Sequence, residues 1–208
     1  KEYETLLTKN VIWMKRTKDV GVISREDALS WGVTGPTLRG TGVKYDVRKA
    51  FPYSSYEEFN FDIPIGSVGD VYDRYIVRLR EMEWSNAIVE QALKRLPKGP
   101  IIANDPRITL PPKEDVVTDI GALIRQFKIV SEGFQPPKGE VYASVEASKG
   151  ELGFYIVSDG SNRPFRFRIR TPSFANLSAL PRMIEGSLIA DVISVIGSID
   201  IVLGEIDR

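Results

Sequence analysis

Residues 69–96 read GDVYDRYIVRLREMEWSNAIVEQALKRL, the longest periodic stretch of the chain, and the fold class turns on them. Gly69 and Asp70 offer a cap, while Pro97 and Gly99 supply the stop, which predicts a helix from Asp70 to about Leu96. Tyr72, Tyr75, Ile76, Leu79 and Met82 recur at the helical period and are continued by Val89, Leu93 and Leu96. That stripe is the expected core face. Arg74, Arg78 and Glu81 fall on the opposite side, where Glu90 and Lys94 are also spaced for an i,i+4 pair. A Pro-rich connector over 100–112 leads to a second predicted helix, Lys113 to Ser131, ended by Gly133 and Pro136. Two long helices are expected to pack as a hairpin.

Working outward, the period changes to two beyond Pro137. Val141, Ala143 and Val145 share one face of a first strand. Leu152, Phe154 and Ile156 do so in a second, and Phe165, Phe167 and Ile169 in a third, with turns at Lys149-Gly150 and Ser158-Asp159-Gly160. This predicts a three-stranded antiparallel meander whose Arg166, Arg168 and Arg170 could pair with Glu146 and Glu151, leaving a solvated face or an anionic partner surface. Toward the amino terminus, Tyr3, Leu6 and Leu7 share a helical face, and Ser24 with Glu26 and Asp27 starts a short helix that Gly32 ends. Residues 32–46, rich in Gly and Thr, read as a structured loop. A last apolar helix, roughly Leu188 to Ile196, should pack inside the helical layer; its Asp191 needs an Arg or a backbone donor as partner. The expected architecture is α+β, mainly α: helical over 1–137, a β-meander over 138–171, and a closing helix and tail over 172–208.

Composition excludes much chemistry. The chain has 28 basic and 28 acidic residues, so no global field draws it toward nucleic acid. It contains neither cysteine nor histidine, which removes a thiolate nucleophile, a disulfide, thiolate-held metals and the commonest general base. The apolar run 187–203 is interrupted by Asp191, Ser194, Gly197, Ser198 and Asp200, too often for a membrane span. With no signal-peptide order in the first residues, the chain is expected to work in or against the cytosol.

Familiar active-site patterns fail in turn. Gly35 to Gly42 suggests a phosphate loop, but Thr41-Gly42 stands where Lys and Ser or Thr would be needed, and the dinucleotide fingerprint lacks its third Gly. Asp70 and Asp73 could hold a metal, although Arg74 and Arg78 suit a plain ion-pair network better. Local chemistry stops at an α+β module without a self-contained active site.

Longer strings carry a resemblance. Gly32-Val33-Thr34-Gly35-Pro36 with Leu38-Arg39-Gly40, Gly69-Asp70 with Tyr72-Asp73-Arg74-Tyr75, Lys149-Gly150-Glu151, Ser158-Asp159-Gly160 and Gly204-Glu205-Ile206-Asp207-Arg208 occur in this order. Together they resemble the carboxy-terminal half of the quinone-site core subunit of respiratory complex I, a family similar to the large subunit of nickel-iron hydrogenases. The resemblance implies a hydrogenase-large-subunit-like fold in a proton-pumping NADH-quinone oxidoreductase, peripheral on the cytoplasmic side of the inner membrane. It implies quinone as substrate, a neighbouring subunit carrying the terminal iron-sulfur cluster, a membrane arm, and FMN and further clusters in partner subunits, with no cofactor, metal or catalytic residue in this chain.

In the hydrogenases the last pair of metal-binding cysteines lies in Asp-Pro-Cys-x-x-Cys-x-x-Arg. Laid on Asp200 to Arg208, that pattern puts Val202 and Glu205 at the thiolate positions; Val offers no donor, and a lone carboxylate suits a soft metal poorly. The resemblance therefore implies that Asp200, Val202, Leu203 and Gly204 line an emptied cavity open to quinone. It also implies that Gly35, Arg39 and Gly40 belong to the cavity wall or to a subunit contact. The family's headgroup-binding His and Tyr lie in motifs not present in this stretch. Relatives often carry His where this chain has Arg125-Gln126, Asn176 and Leu188. Two other readings stand beside this one: a membrane-bound energy-converting hydrogenase-type subunit that has lost its metal, and a purely structural assembly module.

Overall fold

The structure is a computed structural model describing residues 2–207. It divides into two compact units, the first made of residues up to Arg95, Ser144–Gly153 and Ile169 onward, the second of Leu96–Ala143 and Phe154–Arg168.

In the first unit a π-helical turn, Glu4–Thr8, precedes α1 (Val11–Thr17), which Asn10 caps by accepting from the amides of Ile12 and Trp13. α2 (Arg25–Ser30) is the predicted short helix, and Ser24 Oγ accepts from Asp27 N as its cap. The expected loop over 32–46 is corrected, because α3 (Gly35–Gly40) and the start of α4 (Val47–Ala50) lie within or beside it. Six residues are too few to display a helical period. The signal that was present is Pro36 in the first turn, where its fixed φ and missing N–H cost nothing.

α5 (Val71–Arg95) has nearly the expected limits, and Asp70 Oδ1 accepts from Asp73 N at its start. Its buried face is not the predicted one. Val71, Arg74 and Val77 are buried, whereas Met82, Val89 and Leu93 are exposed. The first turns of α5 pack against α3 and α10 (Ile189–Ile199), and there the Arg74 guanidinium satisfies acceptors that an apolar side chain would leave bare. The ion-pair reading of Asp70 and Asp73 is corrected as well. Asp70 Oδ2 accepts from Asp19 N, and Asp73 Oδ2 takes the amides of Ser67, Val68 and Gly69, so both carboxylates serve the backbone.

α8 (Pro172–Ser178), α9 (Leu180–Ile184), α10 and α11 (Leu203–Ile206) complete this unit around a core of Ile23, Leu38, Val71, Met183, Val195 and Ile199. α10 extends one turn beyond the predicted helix. Its Asp191 has the expected arginine, Arg16, at 3.2 Å, and sits in the first turn, where the helix dipole favours an acid.

In the second unit the helix expected over Lys113 to Ser131 is two helices, α6 (Lys113–Thr118) and α7 (Ile120–Ser131). Asp119 leaves the helical region (φ −122°, ψ 120°) and accepts from Gly121 N and Ala122 N; an Asp that can cap competes with continuation of the helix. Strands β1 (Gly139–Ala147), β2 (Gly150–Ser158) and β3 (Arg166–Arg170) form the predicted antiparallel meander in the order β1-β2-β3, contributing residues to both units. Among the described residues no helix is long and apolar enough to cross a membrane.

Candidate functional site

The tail begins where α10 ends. Asp200 takes a left-handed conformation (φ 59°) that turns the chain, and its carboxylate pairs with Lys149 in the β1–β2 turn and stands 4.0 Å from Arg78 Nε. Beyond it the backbone is tied down from behind. Ser173 Oγ donates to the Glu205 carboxylate and accepts from Val202 N, while Thr171 Oγ1 donates to Glu205 O at 2.8 Å. With the main chain held on that side, the Val202 and Leu203 side chains remain exposed, at 42% and 73%. Glu205 thus serves as a hydrogen-bonded anchor at the position where the resemblance places a thiolate.

A cavity of about 350 Å³ lies beside α1, α5 and α10, with Trp13, Tyr75, Arg78, Ser198 and Asp200 among its lining residues. A second, of about 460 Å³, shares Tyr75, Arg78 and Asp200 and extends to Leu79, Met82 and Ser148. Trp13 and Tyr75 meet edge to face, with ring centroids 5.3 Å apart. Mostly apolar walls with a few charged groups are the usual makeup of a small-molecule site. Of the tail residues, Asp200 lines both cavities.

α3 is fixed against the β1–β2 turn. Gly35 has φ +67°, and a Cβ there would come within 2.5 Å of Gly150 Cα and Lys149 O, so only glycine fits. Asn176 bridges the same contact, accepting from Thr34 N and donating to Lys149 O. At Gly40 a Cβ would meet Arg74 Cγ at 3.0 Å. Two of the sequence-chosen groups therefore meet at Lys149-Gly150, Gly35 by contact and Asp200 by charge.

Arg39 points elsewhere, into a buried set of carboxylates. Its Nε donates to Glu81 at 2.6 Å, and one terminal nitrogen donates to Glu146 at 2.8 Å and to Tyr45 O at 3.0 Å, with Asp46 3.9 Å away. Asp46 is in turn gripped by Arg48 through two bonds of 3.0 and 2.6 Å. Burial opposes the charge on Arg39, but Glu81 and Glu146 hold its guanidinium above the ordinary value. Burial would also raise Asp46, yet the Arg48 hydrogen bonds and charge keep it below the usual carboxylate range. In Glu146 burial outweighs the pull of Arg39 and its affinity for a proton rises. The expected cross-strand pairing of Glu146 is thus corrected, because Glu146 serves Arg39. Arg170 of β3 reaches β2 at Glu151 O and also donates to Gly32 O. Sequence reading missed Glu81 and Glu146 as partners of Arg39. The available signal was an arginine between Leu38 and Gly40, in a segment too poor in charge to satisfy it locally.

Comparison with known proteins bears on all of these residues. The family described as respiratory-chain NADH dehydrogenase, 49 Kd subunit, matches residues 1–208. The D subunit of NADH-quinone oxidoreductase from Geotalea uraniireducens is 58% identical over 206 residues, covering 99% of this chain and 53% of the relative. The protein of the same name from Nitrosococcus oceani is 51% identical over 209 residues, covering 100% of this chain and 50% of that one. The chain spans about half the length of the curated relatives it matches. A match along the full sequence, at identities above one half, shows that the chain belongs to the family of the 49 kDa subunit of the respiratory-chain NADH dehydrogenase.

Proposed function

We propose that this chain acts within a proton-pumping NADH-quinone oxidoreductase, where the tail from Asp200 to Gly204 forms part of the wall of the quinone-reduction cavity. The observation that carries this reading is the asymmetry of the tail. Its backbone is anchored through Ser173 and Thr171, while Val202 and Leu203 present apolar side chains outward. An apolar, immobilised wall suits a lipid-soluble acceptor. Val202 and Glu205 occupy the positions of the metal-binding thiolates in the hydrogenase pattern, and the chain has no cysteine to supply them. In this reading the fold is hydrogenase-large-subunit-like but its metal chemistry has gone.

Electrons would arrive from the terminal iron-sulfur cluster of a neighbouring subunit, fed by FMN and clusters in other partners. This chain would shape the cavity, contribute no cofactor or catalytic residue, and sit peripherally on the cytoplasmic side beside the membrane arm. Gly35, Arg39 and Gly40 hold the wall indirectly, through the β1–β2 turn and the Arg39 cluster.

Replacing Val202 with Phe in the assembled enzyme tests the assignment. The expected result is a loss of about tenfold in apparent affinity for quinone or a competing inhibitor, the scale on which an apolar pocket senses a change in side-chain volume. NADH-driven reduction of an artificial acceptor that bypasses quinone should be unchanged. Equal loss of both activities, or no change in either, contradicts it.

A further inference from the structure

In direct ion-pair contact the Arg39 cluster carries more negative than positive charge, with Asp46, Glu81 and Glu146 set against Arg39 and Arg48. Arg78 acts on Glu81 only from longer range and is drawn first to Asp200. Arg48 takes up Asp46 bidentately, so Arg39 is left to balance Glu81 and Glu146 together. The Arg39 and Glu146 side chains are only 3% and 4% exposed, and an uncompensated charge in such a place is costly. The least costly remedy is a proton, and the cluster shows where it would go. Asp46 holds the Arg48 guanidinium by two hydrogen bonds, and the Glu81 side chain is 18% exposed. Glu146 has half of Arg39 and the Val47 amide, which bonds its other oxygen at 3.1 Å.

We infer that Glu146 is a buried proton-accepting group, binding a proton from solvent to relieve the excess charge of the Arg39 cluster and releasing it as the pH rises. This goes beyond the quinone reading and does not depend on it. Two further cations act from longer range: Arg48 on Glu146, and Arg78 of α5 on Glu81 and Arg39. From α3 Glu146 faces Arg39; from the start of α4, Asp46 and Arg48; and α5 brings Glu81 to the far side of Arg39. Tyr53 accepts from Glu146 N, and on β2 Glu151 accepts from the Tyr45 hydroxyl, with Arg170 of β3 bonded to Glu151 O. Burial and the nearby Glu151 push the Tyr45 hydroxyl up to about 12, so it stays protonated and cannot compete for the charge. The raised proton affinity of Glu146 agrees with the geometry.

Because its folded-state value lies above the ordinary 4.5, the folded chain binds this proton more tightly than the unfolded chain. Stability from this group is full below that ordinary value and is lost as pH rises through the folded value. The test compares the chain with Glu146→Gln, whose amide imitates the protonated acid, in unfolding titrations across this range. The expected result is that the variant gains stability relative to the parent as pH rises, and that folding of the parent takes up about one more proton than folding of the variant. Parallel pH profiles for the two chains would overturn the inference. Should the variant fail to fold, isotope-edited infrared spectra of the unaltered chain read the same group: a glutamic acid C=O band that disappears as pH rises supports the inference, and carboxylate bands alone throughout the range overturn it.

Discussion

Arg39 and Arg74 are both almost completely buried, at 2% and 0% exposure, yet they are satisfied in opposite ways. Arg39 is surrounded by carboxylates, which raise its affinity for its proton. Arg74 gives its hydrogen bonds to neutral acceptors: Gly69 O at 2.8 Å, Gly21 O at 3.0 Å and Ser198 Oγ at 2.9 Å. Burial, with Arg78 beside it, lowers the Arg74 guanidinium to about 10, so it remains charged at neutral pH. The difference separates two uses of a buried cation. Around Arg74 the charge binds loop to helix with acceptors that do not titrate. Around Arg39 every partner but one carbonyl can gain or lose a proton, which makes that region the pH-sensitive part of the frame.

The largest expected effect comes from breaking the ionic half of this comparison. Arg39→Met removes the guanidinium that both Glu81 and Glu146 contact and should cost about 3–5 kcal/mol in urea unfolding at neutral pH, with less loss when Glu146→Gln is added. Equal losses in the single and double variants would show that the carboxylates are not coupled through Arg39. The acid side has a definite sign. Asp46 is held below its ordinary value of 3.8, so its contribution is present above that pH and disappears as pH falls through the lowered folded value. Arg74→Met should cost about 2–4 kcal/mol, through three acceptors left bare, and its penalty should be level between pH 5 and pH 8. A pH-dependent penalty there would erase the distinction between the two arginines. Gly35→Ala, where positive φ and the Gly150 backbone both oppose a Cβ, should cost about 1–3 kcal/mol and shift the thermal midpoint without altering either pH profile.

Most of the element map was legible in the sequence. The cap at Asp70, the stop after Arg95, the period-two strands and the partner of Asp191 follow from local rules, and the structure has them. The failures share a physical cause. Stripe reasoning assumes that buried means apolar, so it assigned Arg74 to the outside of α5 and Leu93 to the inside, although burial of the first turns depends on acceptors brought from Gly21 and Ser198. The break at Asp119 was masked because an Asp within a periodic run looks like a surface residue until its side chain is seen capping. Within the candidate site, Val202 to Glu205 were chosen through family pattern and not through periodicity. Their anchors, Thr171 and Ser173, lie some thirty residues away in sequence and carry no signal that pairs them with the tail. Glu146 read as a solvent-facing strand residue because its partner Arg39 is 107 positions distant.

The central claim is that the anchored tail faces quinone, and a photoreactive quinone analogue in the assembled enzyme tests it most directly. Label is expected in the peptide containing Val202, Leu203 and Gly204, suppressed by excess quinone. Quinone-protectable label that consistently spares this peptide would contradict it.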